Sequence, residues 1–155
     1  MDLSGLPLTL RTTIPEDYVD MMGHMNVMWY THLFGKATGE LFKLFGFTYD
    51  YFRERRAGTF ALKQLFSYRA EVLAGHEIEI RSRVLGRSAK RFHTMHFMTR
   101  GDVLACTAEY LGTHVDLTVR RTSPIPGDIA AAIDRLIASH AALGWAAPVC
   151  GAIQP

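Results

Sequence analysis

Residues 20–45 read DMMGHMNVMWYTHLFGKATGELFKLF, and this stretch decides the fold. Trp29, Tyr30, Leu33, Phe34, Ala37, Leu41, Phe42 and Phe45 recur near the helical period, which predicts a helix over Val27–Phe45. Asn26 stands where an N-cap is needed, because its side chain can accept from an orphan backbone N–H. Gly46 is placed to close the far end in a left-handed conformation. Two glycines, Gly35 and Gly39, lie inside the helix, each costing about 1 kcal/mol against alanine. They lead us to expect another element packed closely against the helix backbone.

Upstream, Leu6–Thr13 alternates as a short strand, and Pro15–Asn26 is a loop punctuated by Pro15, Asp17, Asp20 and Gly23. Downstream the period changes. Thr59–Leu73, His76–Gly86, Lys90–Arg100 and Val103–Arg120 read as four long strands. Turn signals separate them at Ala74-Gly75, Gly86-Arg87-Ser88 and Gly101-Asp102. In His76–Gly86, Ile78, Ile80 and Val84 face one way, while Glu77, Glu79, Arg81 and Arg83 face the other. Asp128–His140 predicts a second helix with Ile129, Ile133, Leu136 and Ile137 on one face. A long apolar helix beside an antiparallel sheet has to be wrapped by that sheet. The expected class is α+β, one domain over residues 1–155. Its core covers about 6–141, and a loosely held tail runs from about 142 to 155.

Composition narrows the function classes. The chain has 155 residues and 48% apolar content, enough for a core without metals or disulfides. A net charge of +2 does not point to a nucleic-acid partner. Cys106 and Cys150 form no CxxC pair. Met1–Leu10 lacks a basic leader followed by an apolar run. No run approaches the roughly 18–20 apolar residues of a membrane span. A cytoplasmic protein with no membrane partner is expected. His93 and His96, three apart on a strand, point to opposite faces and are not expected to share a metal.

The chemistry concentrates before the helix, in Asp20-Met21-Met22-Gly23-His24-Met25-Asn26. Asp-x-x-Gly-His-x-Asn running into an aromatic-rich helix resembles the thioesterases related to 4-hydroxybenzoyl-CoA thioesterase. Tyr68–Ile80, the Gly86-Arg87-Ser88 turn and Asp116–Pro126 carry the likeness further along the chain. The resemblance implies a hot-dog fold, a long central helix wrapped by an antiparallel sheet. It implies hydrolysis of an acyl-CoA thioester with the carboxylate of Asp20 as general base or nucleophile. Coenzyme A is then a product, and no cofactor or metal is required. Related sequences act on betainyl-CoA. Subunits of this family join their sheets edge to edge, so a homodimer or homotetramer is expected.

The physics suits that assignment. A loop carboxylate can take a proton from water or attack a carbonyl itself. The first helical N–H groups, at Val27 and Met28, lack internal partners and sit at the positive end of the helix dipole. They are expected to polarise the thioester oxygen. Gly23 permits a tight backbone approach. His24 either orients substrate or fixes the turn, and Asn26 is both cap and site-shaping residue. Trp29 and Tyr30, in the first turn, are the expected acyl-pocket residues; a cationic acyl group would find cation–π contacts there. Arg87, Lys90 and Arg91 are the expected coenzyme A phosphate contacts, against the plainer reading of a solvated hairpin tip. Two other functions stay open: a hot-dog hydratase or dehydratase using His24 with Asp20, and a non-catalytic acyl-CoA-binding module.

Overall fold

The computed structural model describes residues 1–155. Leu8–Thr13 forms β1, and a single 3-10 turn follows at Glu16–Tyr18. The long helix α1 covers Val27–Phe45, the span predicted from periodicity. A short helix α2, Tyr49–Arg55, was not foreseen. Thr48 caps it by accepting from the Tyr51 N–H at 3.2 Å. Four long strands follow: β2 (Ala57–Tyr68), β3 (Glu77–Arg87), β4 (Arg91–Arg100) and β5 (Val103–Asp116). The two-residue β6 (Arg121–Thr122) and helix α3 (Gly127–Ala141) complete the chain's regular elements.

The sheet runs β1-β3-β4-β5-β2, antiparallel at every pair, with β6 added to β5. The strand that follows α1 therefore lies at an outer edge. Both ends of α1 are built as expected. Asn26 accepts from the Met28 N–H at 3.0 Å, and Gly46 closes the helix at φ 94°.

Two apolar clusters lie between α1 and the sheet. The first joins Tyr30, Leu33, Phe34 and Ala37 to Ile78, Ile80 and Met98. The second joins Leu41, Phe42 and Phe45 to Phe92, Ile129 and Ile133, so α3 closes that end. Burying each such side chain contributes about 1.5–3 kcal/mol. Gly112 lets the Phe92 ring cross β5, since an added Cβ would lie 2.4 Å from it.

A polar chain crosses the first cluster. Thr38 Oγ1 donates to the Phe34 carbonyl at 2.8 Å, so it can only accept from His96 Nε2, at 3.1 Å. His96 Nδ1 is then an acceptor for Ser82 Oγ at 2.7 Å, and Ser82 contacts Thr9 Oγ1 at 2.6 Å. The ring is neutral with its proton on Nε2. Burial pushes its pKa down to about 4.

Three expectations are corrected. Gly35 and Gly39 do not face a close neighbour: an added Cβ would meet nothing within 4 Å. The stripe Thr31, His32, Gly35, Lys36, Gly39, Glu40 and Lys43 is exposed, so the sheet wraps one side of α1 and leaves the other open. The C-terminal tail is not loosely held. It crosses the outer sheet face, where Trp145 lies under the Arg83 guanidinium at 4.2 Å and packs edge-on against Phe97. Arg83 donates to the carbonyls of Trp145 and His140, both at 2.9 Å. The Cys150 N–H donates to Glu109 Oε2 at 2.8 Å, whose other oxygen meets His93 Nε2 at 2.8 Å. Arg83 is therefore 7% exposed rather than solvated, because a strap covers the face that the alternation assigned to water.

Candidate active site

The loop before α1 is laced across its base. Val19 bridges Met25, and the Asn26 N–H donates to the Tyr18 carbonyl at 2.9 Å. At its tip, the Asp20 N–H donates to the His24 carbonyl at 3.1 Å. The Gly23 N–H donates back to the Asp20 carbonyl at 2.9 Å. This reversal needs Gly23 at φ 81°, a conformation in which a side chain is strained. The Met25 N–H donates to the Val72 carbonyl at 2.7 Å and fixes the loop to the chain leaving β2.

That geometry presents one carboxylate. Asp20 Oδ1 accepts from the Met22 N–H at 2.9 Å, and Oδ2 accepts from Asn26 Nδ2 at 3.0 Å. Asn26 has a double task. Its amide oxygen caps Met28, which turns its NH₂ toward Asp20. The cap and the carboxylate are thus one hydrogen-bonded unit. Asp20 is half-buried, and water can reach it.

Of the two expected helix-end donors, Met28 is occupied by the Asn26 cap. The Trp29 N–H is likewise taken, by the Asn26 carbonyl at 3.0 Å. Val27 alone offers a free N–H among these three, and its side chain is exposed. A helix N-terminus with one open donor beside a fixed carboxylate can polarise a carbonyl oxygen while a water is deprotonated.

A cleft of about 310 Å³ opens beside this unit. His24, Met25, Val27 and Tyr30 form one wall. Tyr68, Arg69, Ala70 and Glu71 form the other. The His24 ring lines the cleft but makes no hydrogen bond to the Asp20 carboxylate; its one side-chain hydrogen bond is a long 3.4 Å approach of Nδ1 to the Met25 carbonyl. The His24 ring and the Asp20 carboxylate thus have separate hydrogen-bond partners.

Tyr30 lines the cleft, but Trp29 does not. Its ring stacks on Tyr18 with centroids 3.7 Å apart and planes 5° from parallel. The opposite wall, 68–71, escaped the sequence reading. Tyr68 looked like one more member of an alternating strand. Only the topology, which lays the end of β2 beside the start of α1, brings it to the site.

The Arg87, Lys90 and Arg91 group is not brought here. Arg87 is held by Asp134 of α3 through two hydrogen bonds, at 2.7 and 2.6 Å. That pairing raises the Arg87 pKa and lowers that of Asp134, and it leaves the guanidinium committed. Arg91 faces Thr113 on β5, whereas Tyr68 faces Cys106. Seven strand residues separate those positions, about 23 Å. Within one chain the basic turn and the carboxylate stand at opposite ends of the sheet. No cluster of three or more His, Cys, Asp or Glu side chains is arranged for a metal ion.

Comparison with known proteins agrees with the geometry. Residues 14–133 match the thioesterase-like superfamily. A Pseudomonas aeruginosa protein named betainyl-CoA thioesterase is 28% identical over 144 residues, covering 91% of this chain and 90% of its own. A Ruegeria pomeroyi protein named L-carnitine dehydrogenase/betainyl-CoA thioesterase is 29% identical over 144 residues. That match covers 93% of this chain but only 29% of the longer relative. Among solved structures, a Staphylococcus aureus protein in complex with CoA superposes with a TM-score of 0.84 at 19% identity, covering 91% of this chain and 90% of that one. A 1,4-dihydroxy-2-naphthoyl-CoA thioesterase from Synechocystis gives 0.73 at 14% identity, covering 83% and 96%. At such identities the two structures establish the fold, an antiparallel sheet curled on one long helix.

Proposed function

This chain belongs to the thioesterase-like superfamily, and from that premise we propose that it hydrolyses an acyl-CoA thioester to a free acid and coenzyme A. The observation that carries the reading is the Asp20–Asn26–α1 unit. A carboxylate is fixed at a helix N-terminus by the residue that caps the helix, beside a cleft sized for a small acyl group.

In the reaction, Asp20 takes a proton from water as the water oxygen bonds to the thioester carbon. The Val27 N–H receives the developing oxyanion. The carbon–sulfur bond then breaks, and the coenzyme A thiolate leaves with the proton that Asp20 took from water. His24 lies on the cleft wall, where it can contact substrate, and Gly23 keeps the loop tight enough to aim Asp20. The chain supplies each of these groups itself, with the CoA thioester as substrate. Both cysteines are unpaired thiols, in keeping with the reducing cytoplasm. No helix is long and apolar enough to cross a membrane.

Free-thiol release from a panel of acyl-CoA esters tests the activity. The panel should span short, aromatic, long-chain and betainyl groups. Turnover of at least one short ester is expected, and silence across the panel would remove the hydrolase reading.

The working unit is a homodimer paired through β2. This twelve-residue edge carries exposed Phe60, Leu62, Leu65 and Tyr68, the kind of long apolar edge that pairs with another strand. Antiparallel pairing about the centre of β2 would set its first residues beside the partner's Tyr68. Arg56 precedes that end, and Arg120 lies over Phe60. Phosphate contacts for coenzyme A would then come from these arginines across the dimer rather than from Arg87. Sedimentation should show a dimer, and Leu62→Lys with Leu65→Lys should yield a folded monomer. A wild-type monomer would rule out the β2 pairing.

A further inference from the structure

Of the first three N–H groups of α1, only that of Val27 is open, because Met28 and Trp29 both donate to Asn26. A thioester oxygen that becomes an oxyanion can accept more than one hydrogen bond. A second donor has to stand near Val27 and face the same cleft. Tyr30 meets both conditions. It lines the cleft together with Val27. It follows Val27 by three residues, on the same face of the helix and about 4.5 Å along the axis. Helical side chains lean toward the N-terminus. The Tyr30 ring therefore reaches back over the turn that carries the Val27 N–H.

The ring is held on all sides. Tyr30 is 4% exposed and packed with Leu33, Phe34 and Met98. Tyr68 meets it edge to face, with centroids 5.0 Å apart and planes at 86°. The Tyr30 hydroxyl makes no hydrogen bond within the chain, yet it is not sealed. The sealed side-chain polar atoms without a partner are Arg83 Nε, Thr94 Oγ1 and Trp145 Nε1. The hydroxyl of Tyr30 thus opens on the cleft that its residue lines. Burial, and after it the neighbouring Cys106, Tyr68 and Glu71, pushes the Tyr30 pKa up to about 12. Its O–H keeps its proton at neutral pH and is always a donor.

The other side-chain donors of the cleft are placed less firmly. Tyr68 is 50% exposed, at the end of the edge strand β2, and Arg69 beside it is exposed. His24 belongs to the loop, with Nδ1 turned to the Met25 carbonyl. Tyr30 alone shares the helix that carries the open N–H. A donor fixed by packing needs no reorganisation when charge develops on the oxygen.

Resting on the hydrolase reading, we propose that Tyr30 is a catalytic residue whose hydroxyl donates to the thioester oxygen beside the Val27 N–H. As water adds to the carbon, the electron pair of the C=O bond moves onto oxygen and both hydrogen bonds strengthen. As the carbon–sulfur bond breaks, the pair returns and the carbonyl re-forms. The phenol keeps its proton throughout.

Tyr30→Phe tests this, since it removes one oxygen and keeps the ring, so the first apolar cluster stays packed. In that variant kcat and kcat/KM should fall together by about 10²-fold. Tyr68→Phe, which removes the neighbouring hydroxyl, should change little. A direct readout uses Asp20→Asn protein, which holds the ester unhydrolysed, with butanoyl-CoA and betainyl-CoA carrying ¹³C at the thioester carbonyl. The bound carbonyl's infrared band should lie below its frequency in water, and adding Tyr30→Phe should move it back up. A packing role alone would leave that band in place. Full activity in Tyr30→Phe, or a band that Tyr30→Phe does not move, overturns the proposal while thiol release by wild type still upholds the hydrolase. A band that depends on Tyr30, in a protein that releases no thiol, would uphold the donor and reject the hydrolase.

Discussion

Asp20→Asn is expected to lower thiol release by about 10²–10⁴-fold, the usual contribution of a positioned general base. Both carboxylate oxygens are acceptors, from Met22 N–H and Asn26 Nδ2. An amide in their place keeps the shape but sets its own NH₂ against one of those donors. The local cost is about 1 kcal/mol, so the variant should stay folded and its circular dichroism should match wild type. Loss of rate with an unchanged dissociation constant for the ester would place Asp20 in the chemistry rather than in binding. A folded variant with full activity would remove Asp20 from the mechanism. Single turnover in ¹⁸O-water distinguishes the two roles of the carboxylate. With Asp20 as base, label enters only the released acid. With Asp20 as nucleophile, water attack at the Asp20 carbonyl of the mixed anhydride places label in the protein's carboxylate, an outcome the base route never gives.

Stability should fall steeply between about pH 6.5 and pH 4, through His96. The ring is fully buried, and burial lowers its pKa from 6.5 to about 4. Below pH 6.5 the unfolded chain binds a proton that the folded chain refuses. Acidification in this window therefore favours unfolding. The stabilisation is complete above about pH 6.5 and is lost as pH approaches 4. At 1.36 kcal/mol per unit, the loss amounts to about 3 kcal/mol. His114 and His140 are also shifted down by burial and act in the same direction. His114 is held between Tyr51 and Ser123, each at 2.8 Å, and His140 accepts from the Val84 N–H at 2.9 Å. The depressed carboxylates Asp116 and Asp134 lose their contribution only at lower pH, below their ordinary value of 3.8. Urea unfolding at pH 7.5 and 4.5 checks the effect. His96→Gln should be less stable at pH 7.5, since Ser82 and Thr38 lose a well-placed partner, yet its stability should change less with pH. Parallel losses in the two proteins would clear His96 of the acid lability.

Much of this was legible in the chain itself. A nineteen-residue apolar period, a capping asparagine and a closing glycine are local signals, and α1 begins and ends where they say. Strand alternation placed Ile78, Ile80 and Val84 inward, and all three are buried. It also placed His93 and His96 on opposite faces, where one meets Glu109 and the other Thr38. The carboxylate and its cap lie six residues apart, so their hydrogen bond is a short-range fact that a motif can carry.

What the sequence could not carry depends on contacts between distant residues. Trp29 and Tyr30 are neighbours in sequence, but about 100° apart around the helix. One therefore stacks on Tyr18 and the other enters the cleft. Arg87 looked available until α3 folded back and gave it Asp134, 47 residues away. Arg83 looked solvated until the tail crossed it. Tyr68 and Glu71 reach the site because the strand after α1 takes the edge position beyond β5. Sequence by itself determined the helix and the strands, because each follows from local periodicity and spacing. The opposite wall of the cleft, the covering of the outer face and the partners of each arginine were decided only by tertiary structure, since strand order and chain return have no local signature.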